Sequence, residues 1–592
     1  MMRVADYIMQ RVHEEGVDDI FFVTGGSSTY LTDAIARNDE INGIPVHHEQ
    51  AGMMAALSYA YCNEKMGAMC VTTGCAGTNT MTGLLHAYQD SIPCIVLSGN
   101  APLTATTRHL GIDIRQFGRQ ETDIVKIVEP ITKYAVMIEE PKEIAYEMDK
   151  ALYMAKSGRK GPVWVDVPQD IQNMMVNPDE LVRYIPEEEN YDIEDAEIDE
   201  LVNDIGKAER PVLLIGNGVR AAKAIDEMKK FVEDTQIPVV YSRLANDIFP
   251  TDSDKVVGMM GSISGTRAGN FAVQNSDLLI VVGCKLCPDQ TGFDFENFAR
   301  AAKVVVVDID GVEHSKNTVH IEKFINGDAK IFFNKINKRE IKKTDKWWIE
   351  KCRHWKEIFP VCNEEHRKSE KINMLYLMEC FSKVLEMDAA VVSDSGLTGQ
   401  IVPLGIHFRD NQRSVHSYSQ GEMGYSLPGS MGVYYARKTP VYAFMGDGSF
   451  MMNMQELETI AYNKIPVKIV ILNNGGYVCV RVAQEAFFRG RTIGTDESNG
   501  VGFPKFENVA KAFDIDYYKI ENGENLTDKL QKLVDMDGPV LCEIICTENQ
   551  DYVHSTYGTN KKKRLVMRPI EDQYPFLERE LLKNEMIIET ID

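Results

Sequence analysis

The chain has 592 residues with 64 Lys and Arg against 88 Asp and Glu, a formal charge of −24. That acidity, without a basic run interleaved with aromatics, argues against nucleic acid and anionic membrane as partners. No stretch reaches the roughly 18 uninterrupted apolar residues of a spanning helix and the first residues lack a leader's apolar core, so a cytoplasmic protein is expected.

At 44% hydrophobic the composition is that of a globular protein, and the length exceeds one core, so about three domains are expected. Strand-like runs alternate with amphipathic helical ones. The first unit reads "DIFFVTGG", a helical "SSTYLTDAIARN", "GAMCVTTG", "IPCIVLSGN" and "GPVWVDVP"; an apolar, strand-like stretch also leads into "PVHHEQAG" at 45–52. A charged stretch at 183–200 reads as a linker. The second unit reads "RPVLLIGNGV", "IPVVYS", "SDLLIVVGC" and "AKVVVVDID", closing near Gly327 and Asp328. A polar region at roughly 335–372, rich in Lys, Glu and Trp, leads to the third: "AAVVSDSG", "TPVYAFMGDGSF", "PVKIVILNN" and "PVLCEIIC". The tail carries "KKKR" and "RPIEDQYPFLERELL" and reads as a lid or peripheral helix. The expected fold is α/β, with three consecutive doubly wound parallel-sheet domains at 1–180, 196–335 and 370–550 and a tail at 551–592. Similar strand rhythm in the first and third units is compatible with a duplication. The 12 cysteines are scattered through apolar segments, and the single CxxC, Cys284 to Cys287, has neither a second pair nor a histidine at ligand spacing.

The strongest chemical signal starts at Gly446, in "GDGSFMMNMQELETIAYNKIPVKIVILNN". A strand runs into a glycine turn that opens a helix, and the next strand ends on Asn473 and Asn474. Both strand ends then share the carboxyl edge of a parallel sheet, where open α/β sheets bind ligands. Asp447 and the Asn474 side chain are hard oxygen donors suited to Mg²⁺, and a backbone carbonyl at Gly476 completes a third ligand. Gly448 and Ser449 leave N–H groups free at a helix start, which favours anions.

GDG, about two dozen residues and then NN resembles the signature of the thiamine-diphosphate-dependent enzymes, closest to the acetolactate-synthase-like group. The resemblance extends to "HHEQAGMMAA", "VTTGCAGTNTMTGL", "QDSIPCIVLSG", "RQETDIV", "SGRKGPVWVDVPQDIQ" and "GEMGYSLP". It implies a pyrimidine-binding first domain, a central domain and a diphosphate-binding third domain, with thiamine diphosphate and Mg²⁺ as cofactors. Glu49 takes the place of the essential glutamate, which acts through the cofactor's ring nitrogen and needs no triad. Gln120 aligns with a glutamine facing the reacting carbons, and His48, or its neighbour His47, could reach the same pocket. Met423, read as part of a "GEMGYSLPGSMG" helix, would wedge the two cofactor rings into a V. Gly421, Gly396, Thr398, Gly446, Gly448 and Ser449 would contact the cofactor, with Asn79, Gln89 and Asp90 as polar support. The family's assembly implies a homodimer or homotetramer, with each site shared between subunits.

Two departures separate this chain from acetolactate synthase. The flavin-binding pattern of the middle unit is replaced by "GCKLCPDQTG", with Lys285 and Asp289 at its two arginine positions, so FAD stays open but is expected less than its absence, "GMMGSISGTRAGN" and "VVVVDID" still offering a nucleotide cradle. "GNGVRAA" is only a partial nucleotide-loop echo. Ala483 stands where those synthases place a tryptophan after NN, opening the acceptor wall, with Arg481, Gln484 and Tyr477 as candidate contacts. The expected activity is carbon–carbon lyase or carboligase: decarboxylation of a 2-keto acid such as pyruvate and transfer of a two-carbon unit to an aldehyde or ketone, including sugars. The alternatives are acetolactate synthase itself, a simple decarboxylase and a non-catalytic binding subunit.

Overall fold

The computed structural model describes residues 1–187, 189–554, 557–559 and 565–591; the lysine-rich "KKKR" of the tail lies outside them. Three six-stranded parallel sheets follow one another. The first takes Asp19–Phe22, Asn42–Pro45, Gly67–Val71, Cys94–Asn100, Tyr134–Met137 and Val163–Pro168 and, numbered along the chain, arranges them 2-1-3-4-6-5. The third takes Ala390–Ser393, Arg413–His416, Val441–Gly446, Val467–Asn473, Asp516–Ile520 and Val540–Ile545 and repeats the order 2-1-3-4-6-5. The middle sheet differs: Pro211–Ile215, Val239–Tyr241, Val256–Met259, Leu278–Val282, Lys303–Asp308 and Lys323–Asn326 lie in the order 3-2-1-4-5-6. The shared rhythm of the outer units is thus a shared topology.

Parallel strands buried on both faces read as continuous apolar runs, because alternate side chains serve opposite cores. In Val163–Pro168, Val163, Val165 and Val167 join the core under the helices Val4–Glu14 and Ile144–Lys156. Trp164 points the other way, into a core that continues unbroken into the third unit. That second core is closed by two helices, Glu49–Asn63 and Ser426–Arg437, packed directly on each other. Gly432 makes the approach possible: a Cβ there would stand 2.0 Å from the Ala55 carbonyl oxygen. Ser58 Oγ and Tyr425 OH, 2.6 Å apart, bond across the same seam.

Two segments outside the sheets pack against the middle unit. The polar region after the middle sheet contains the helix Lys346–Ile358, whose Trp348, Cys352 and Trp355 repeat every three to four residues and are buried against the middle unit. The tail helix Arg579–Glu585 packs there too, Glu585 receiving bonds from Lys351 Nζ (2.6 Å) and Trp355 Nε1 (3.0 Å). Among the described residues, no helix is long and apolar enough to cross a membrane.

Candidate active site

In a sheet ordered 2-1-3-4-6-5 the connections diverge between strands 1 and 3, and that crevice is where such sheets bind ligands. In the third unit these are Ala390–Ser393 and Val441–Gly446, each leading into a helix start. Gly396, at φ +66°, opens the ten-residue helix Gly396–Gly405 with nothing within 4 Å of its ideal Cβ position. Across the crevice a Cβ on Gly446 would lie 3.9 Å from Thr398 Oγ1, so the structure brings these two sequence candidates together around an open cradle. Gly448 is required for a different reason, since a Cβ there would strike the Tyr477 ring at 2.1 Å.

Asp447 is buried, and its oxygens accept from Gly448 N–H (2.7 Å) and Gly476 N–H (2.8 Å), which ties the GDG turn to the NN turn. Burial pushes its carboxyl up, against those N–H bonds. Asn474 is buried alongside, while the Gly476 carbonyl, expected to turn inward, accepts from Val478 N–H at 3.0 Å and keeps one lone pair for another partner. Among the described residues no group of three His, Cys, Asp or Glu is placed to hold a metal ion, so a cation here would rest on one carboxylate plus amide and backbone oxygens, a set suited to Mg²⁺.

Glu49 is the first residue of its helix. His48 caps that helix, its Nδ1 accepting from Gln50 N–H at 3.2 Å, so only Nε2 is left for any other task. Asn79 Nδ2 donates to Glu49 Oε2 at 2.9 Å, joining two predicted residues. The N–H groups of His47 and His48 both donate to Glu456 Oε1 at 3.1 Å, so a fully buried carboxylate of the third unit holds the backbone just ahead of Glu49. Gln120 is exposed and sits in the left-handed region at φ +58°, uncommon for a non-glycine. Thr73 Oγ1 holds its carbonyl at 3.3 Å, and Asn100 Oδ1 and Asp166 continue the chain of bonds beneath.

Met423 precedes the helix Ser426–Arg437 and stands exposed in a turn flanked by Gly421 (φ +62°) and Gly424 (φ +80°). Two glycines with positive φ break the helical run that the sequence pattern implied. Asp394 fixes the turn's exit, accepting from Gly424 N–H (3.0 Å) and Ser426 N–H (2.9 Å), and Ser449 bonds to the same carboxylate. The residues read as acceptor contacts have internal partners: Arg481 meets Asp496 at 3.1 Å, Gln484 braces Ile493, and Tyr477 packs edge-on to Phe503. Ala483 is exposed.

A cavity of about 330 Å³ lies between the first and middle units, bordered by Gly218, Gly283, Asp308 and Tyr418. The glycines of the nucleotide-loop echo serve packing, since Cβ atoms on Gly216 and Gly218 would meet Gly283 at 2.0 and 2.5 Å. Its cations are engaged within the chain: Arg159 with Asp310 (3.0 Å) and Glu313 (2.6 Å), Lys160 with the Ala221 carbonyl (2.7 Å), and Lys285 with Ser419. With Asp308, Glu313 and Asp328 on its walls, this donor set does not fit the diphosphate of a flavin dinucleotide. Gln89 and Asp90 line the cavity, and Asp90 bonds to Ser419 and His86.

Glu456, Asp394, His86 and Glu422 were not found from sequence. Asp394 stands two residues past the apolar run "AAVV" as Asp447 stands two residues past "VYAFM", a signal that could have marked it.

Three family models match in succession: "Thiamine pyrophosphate enzyme, N-terminal TPP binding domain" over residues 2–126, the central domain over 198–336 and the C-terminal TPP binding domain over 394–544. The large subunit of acetolactate synthase from Haemophilus influenzae is 30% identical over 589 residues, covering 96% of this chain and 99% of that protein. The corresponding subunit from Lactococcus lactis is 31% identical over 552 residues, 92% of each. The chloroplastic acetolactate synthase of Arabidopsis thaliana is 30% identical over 562 residues, 92% of this chain and 82% of that protein. The chain therefore belongs to the thiamine pyrophosphate (thiamine diphosphate) enzymes and is a thiamine-diphosphate-dependent enzyme of the acetolactate-synthase-like group.

Proposed function

We propose that this thiamine-diphosphate enzyme is a carboligase that decarboxylates a 2-keto acid, pyruvate first, and joins the two-carbon remainder to a carbonyl acceptor. The named relatives favour a second 2-keto acid as acceptor, which is acetolactate synthesis. A bulkier aldehyde, ketone or sugar is the second reading, supported by Ala483, small and exposed just after the NN turn. The observation that carries the proposal is the pairing of Glu49 with Asn79 at one sheet edge and of Asp447 with Gly448 and Gly476 at another.

When bound, thiamine diphosphate takes up in its thiazolium ring the electron pair released as CO₂ leaves. The chain's residues do the rest. Gly396, Thr398, Gly446, Gly448 and Ser449 offer the diphosphate a cradle at two helix starts, and Asp447, Asn474 and the Gly476 backbone would hold Mg²⁺ against it. Glu49 would hold a proton at the pyrimidine ring nitrogen, with Asn79 orienting its carboxylate. Gln120, and His48 through Nε2, would face the substrate, while Met423 and Gly421 would support the rings. FAD is not part of this reading, because the middle cavity's cations already have partners.

A homodimer at least is proposed. Ile114 and Phe117 of the first unit and Val480, Val482, Phe487 and Phe488 of the third are all exposed large apolar side chains, on the two units that carry the candidate residues, and a second copy would cover them. The test is incubation with thiamine diphosphate, Mg²⁺ and pyruvate, alone and with aldehydes, ketones and keto sugars, read by mass spectrometry. Acetolactate from pyruvate alone supports the first reading, a cross-product only with a bulkier acceptor supports the second, and no CO₂ release with any 2-keto acid refutes both.

A further inference from the structure

A buried polar chain crosses all three units. Lys285 Nζ of the middle unit donates to Ser419 Oγ, and Ser419 donates to Asp90 of the first unit. Asp90 Oδ2 lies 3.2 Å from His86 Nε2, and His86 Nδ1 lies 2.7 Å from Glu422 Oε1 of the third unit. Ser417 Oγ donates to the other Glu422 oxygen and accepts from Gly421 N–H at 3.0 Å, while Ser395 Oγ donates to the Gly421 carbonyl at 2.6 Å.

The His86 and Asp90 side chains are each 1% exposed and that of Glu422 6%, so this imidazole is clamped between two carboxylates away from water. Burial alone would depress its pKa, but Glu422 and Asp90 outweigh that and raise it to about 10, so the ring is a cation at neutral pH. Lysine, aspartate, imidazolium and glutamate then alternate in sign, and no charge is left unpaired. Lys285 lies on the wall of the middle cavity and spends a donor on this chain.

The far end is the turn Gly421 to Gly424. Its two glycines have positive φ and Met423 is exposed, so Glu422 is the one buried side chain in the turn. We propose that His86 and Glu422 are positioning residues whose buried imidazole–carboxylate contact fixes this turn, presenting Gly421 and Met423 to thiamine diphosphate. The inference rests on the function reading above. It adds that a side chain of the first unit, remote in sequence, sets where the third unit's Met423 stands.

The experiment is hydrogen exchange on the full-length protein without cofactor, paired with thiamine diphosphate titration in Mg²⁺, for wild type, Glu422→Gln, His86→Asn and Ser417→Ala. In Glu422→Gln, exchange across 417–424 should quicken at least tenfold while the helix Glu49–Asn63 stays protected. Affinity for thiamine diphosphate should fall about 10- to 100-fold, the usual effect of losing a group that orients a ligand contact. Met423→Ala should alter turnover without altering exchange in the turn. Where His86→Asn does not fold, Ser417→Ala, which removes one donor to Glu422 and the acceptor of Gly421 N–H, should move exchange in the same direction, and Glu422→Gln alone judges the clamp. Exchange and affinity within twofold of wild type in Glu422→Gln would overturn the proposal. Wild type that binds no thiamine diphosphate would overturn both the function reading and the cofactor half of this one, whereas exchange in the cofactor-free protein judges the clamp by itself.

Discussion

Gly432→Ala tests whether the seam between the first and third units governs the site. The new Cβ would stand 2.0 Å from the Ala55 carbonyl oxygen, 2.8 Å from its carbon and 3.0 Å from its Cα. A carbon and a carbonyl oxygen settle at about 3.3 Å or beyond, so the two helices must part by about 1 Å at that point. All three neighbours are backbone atoms, and no rotamer change relieves the clash. Overpacking of this kind costs about 1–3 kcal/mol, which in a large domain lowers the apparent Tm by about 2–10 °C. The same movement stretches the 3.1 Å bonds from His47 and His48 N–H to Glu456 and so shifts the start of the Glu49 helix. Misplacement by about 1 Å costs up to a hundredfold in rate. The assay is thermal unfolding by circular dichroism together with CO₂ release from pyruvate. Gly206→Ala is the control, because nothing lies within 4 Å of its Cβ position near the end of the helix Asp195–Lys207, and it should stabilise by about 0.5–1 kcal/mol. A Gly432→Ala protein with unchanged Tm and more than half its activity would refute the reasoning.

Glu49→Gln keeps a hydrogen bond to Asn79 but cannot hold and release a proton; CO₂ release should fall about 10²- to 10⁴-fold with thiamine diphosphate binding nearly unchanged, measured by calorimetry. Removal of divalent cations with a chelator should abolish thiamine diphosphate binding, and Mg²⁺ should restore it; binding that survives in metal-free buffer would count against Asp447 and Asn474 as ligands. Asp166 is fully buried, and burial raises its pKa to about 7 from 3.8 despite donors from Ser98 and Asn100. Between those values the native state holds the extra proton, so stability should fall by up to about 4 kcal/mol as pH rises from 4 to 7 and level off above. Urea unfolding at pH 5 and 8 should show that slope in wild type and lose most of it in Asp166→Asn.

The strands read from sequence were the four central ones of each sheet, and of the six edge strands only the one leading into His47 was marked. The reason differs from strand to strand. Tyr134–Met137, Lys323–Asn326 and Asp516–Ile520 are only partly buried, and the last two carry polar residues among the apolar ones. Arg413–His416 is fully buried yet hidden by its charge, Arg413 being neutralised by Asp247 and lying 4.4 Å over the Tyr61 ring. Val256–Met259 is four residues long with a glycine at φ +156°. Glycine carries the same ambiguity: Gly396, Gly446 and Gly448 border the crevice, but the similar-looking Gly216 and Gly218 serve only the approach to Gly283. Spacing alone could not separate a cradle from a contact.

Local motifs expose groups that act where they stand, at the carboxyl ends of strands; groups that act by holding another unit need the topology. Glu456 lies nine residues beyond Asp447 in the same quoted stretch, yet its partners are amides at 47 and 48, and His86 finds Glu422 across more than three hundred residues. Both contacts join the two units that share the 2-1-3-4-6-5 order, and both end beside a residue assigned to the cofactor: Glu49 in one case, Met423 in the other. The contact between the paired units is therefore more than packing. Each carries a buried charged side chain that sets the backbone of the other, so a substitution at either seam should register beside the candidate residue of the facing unit, Glu49 or Met423, before it registers in the sheet that bears it.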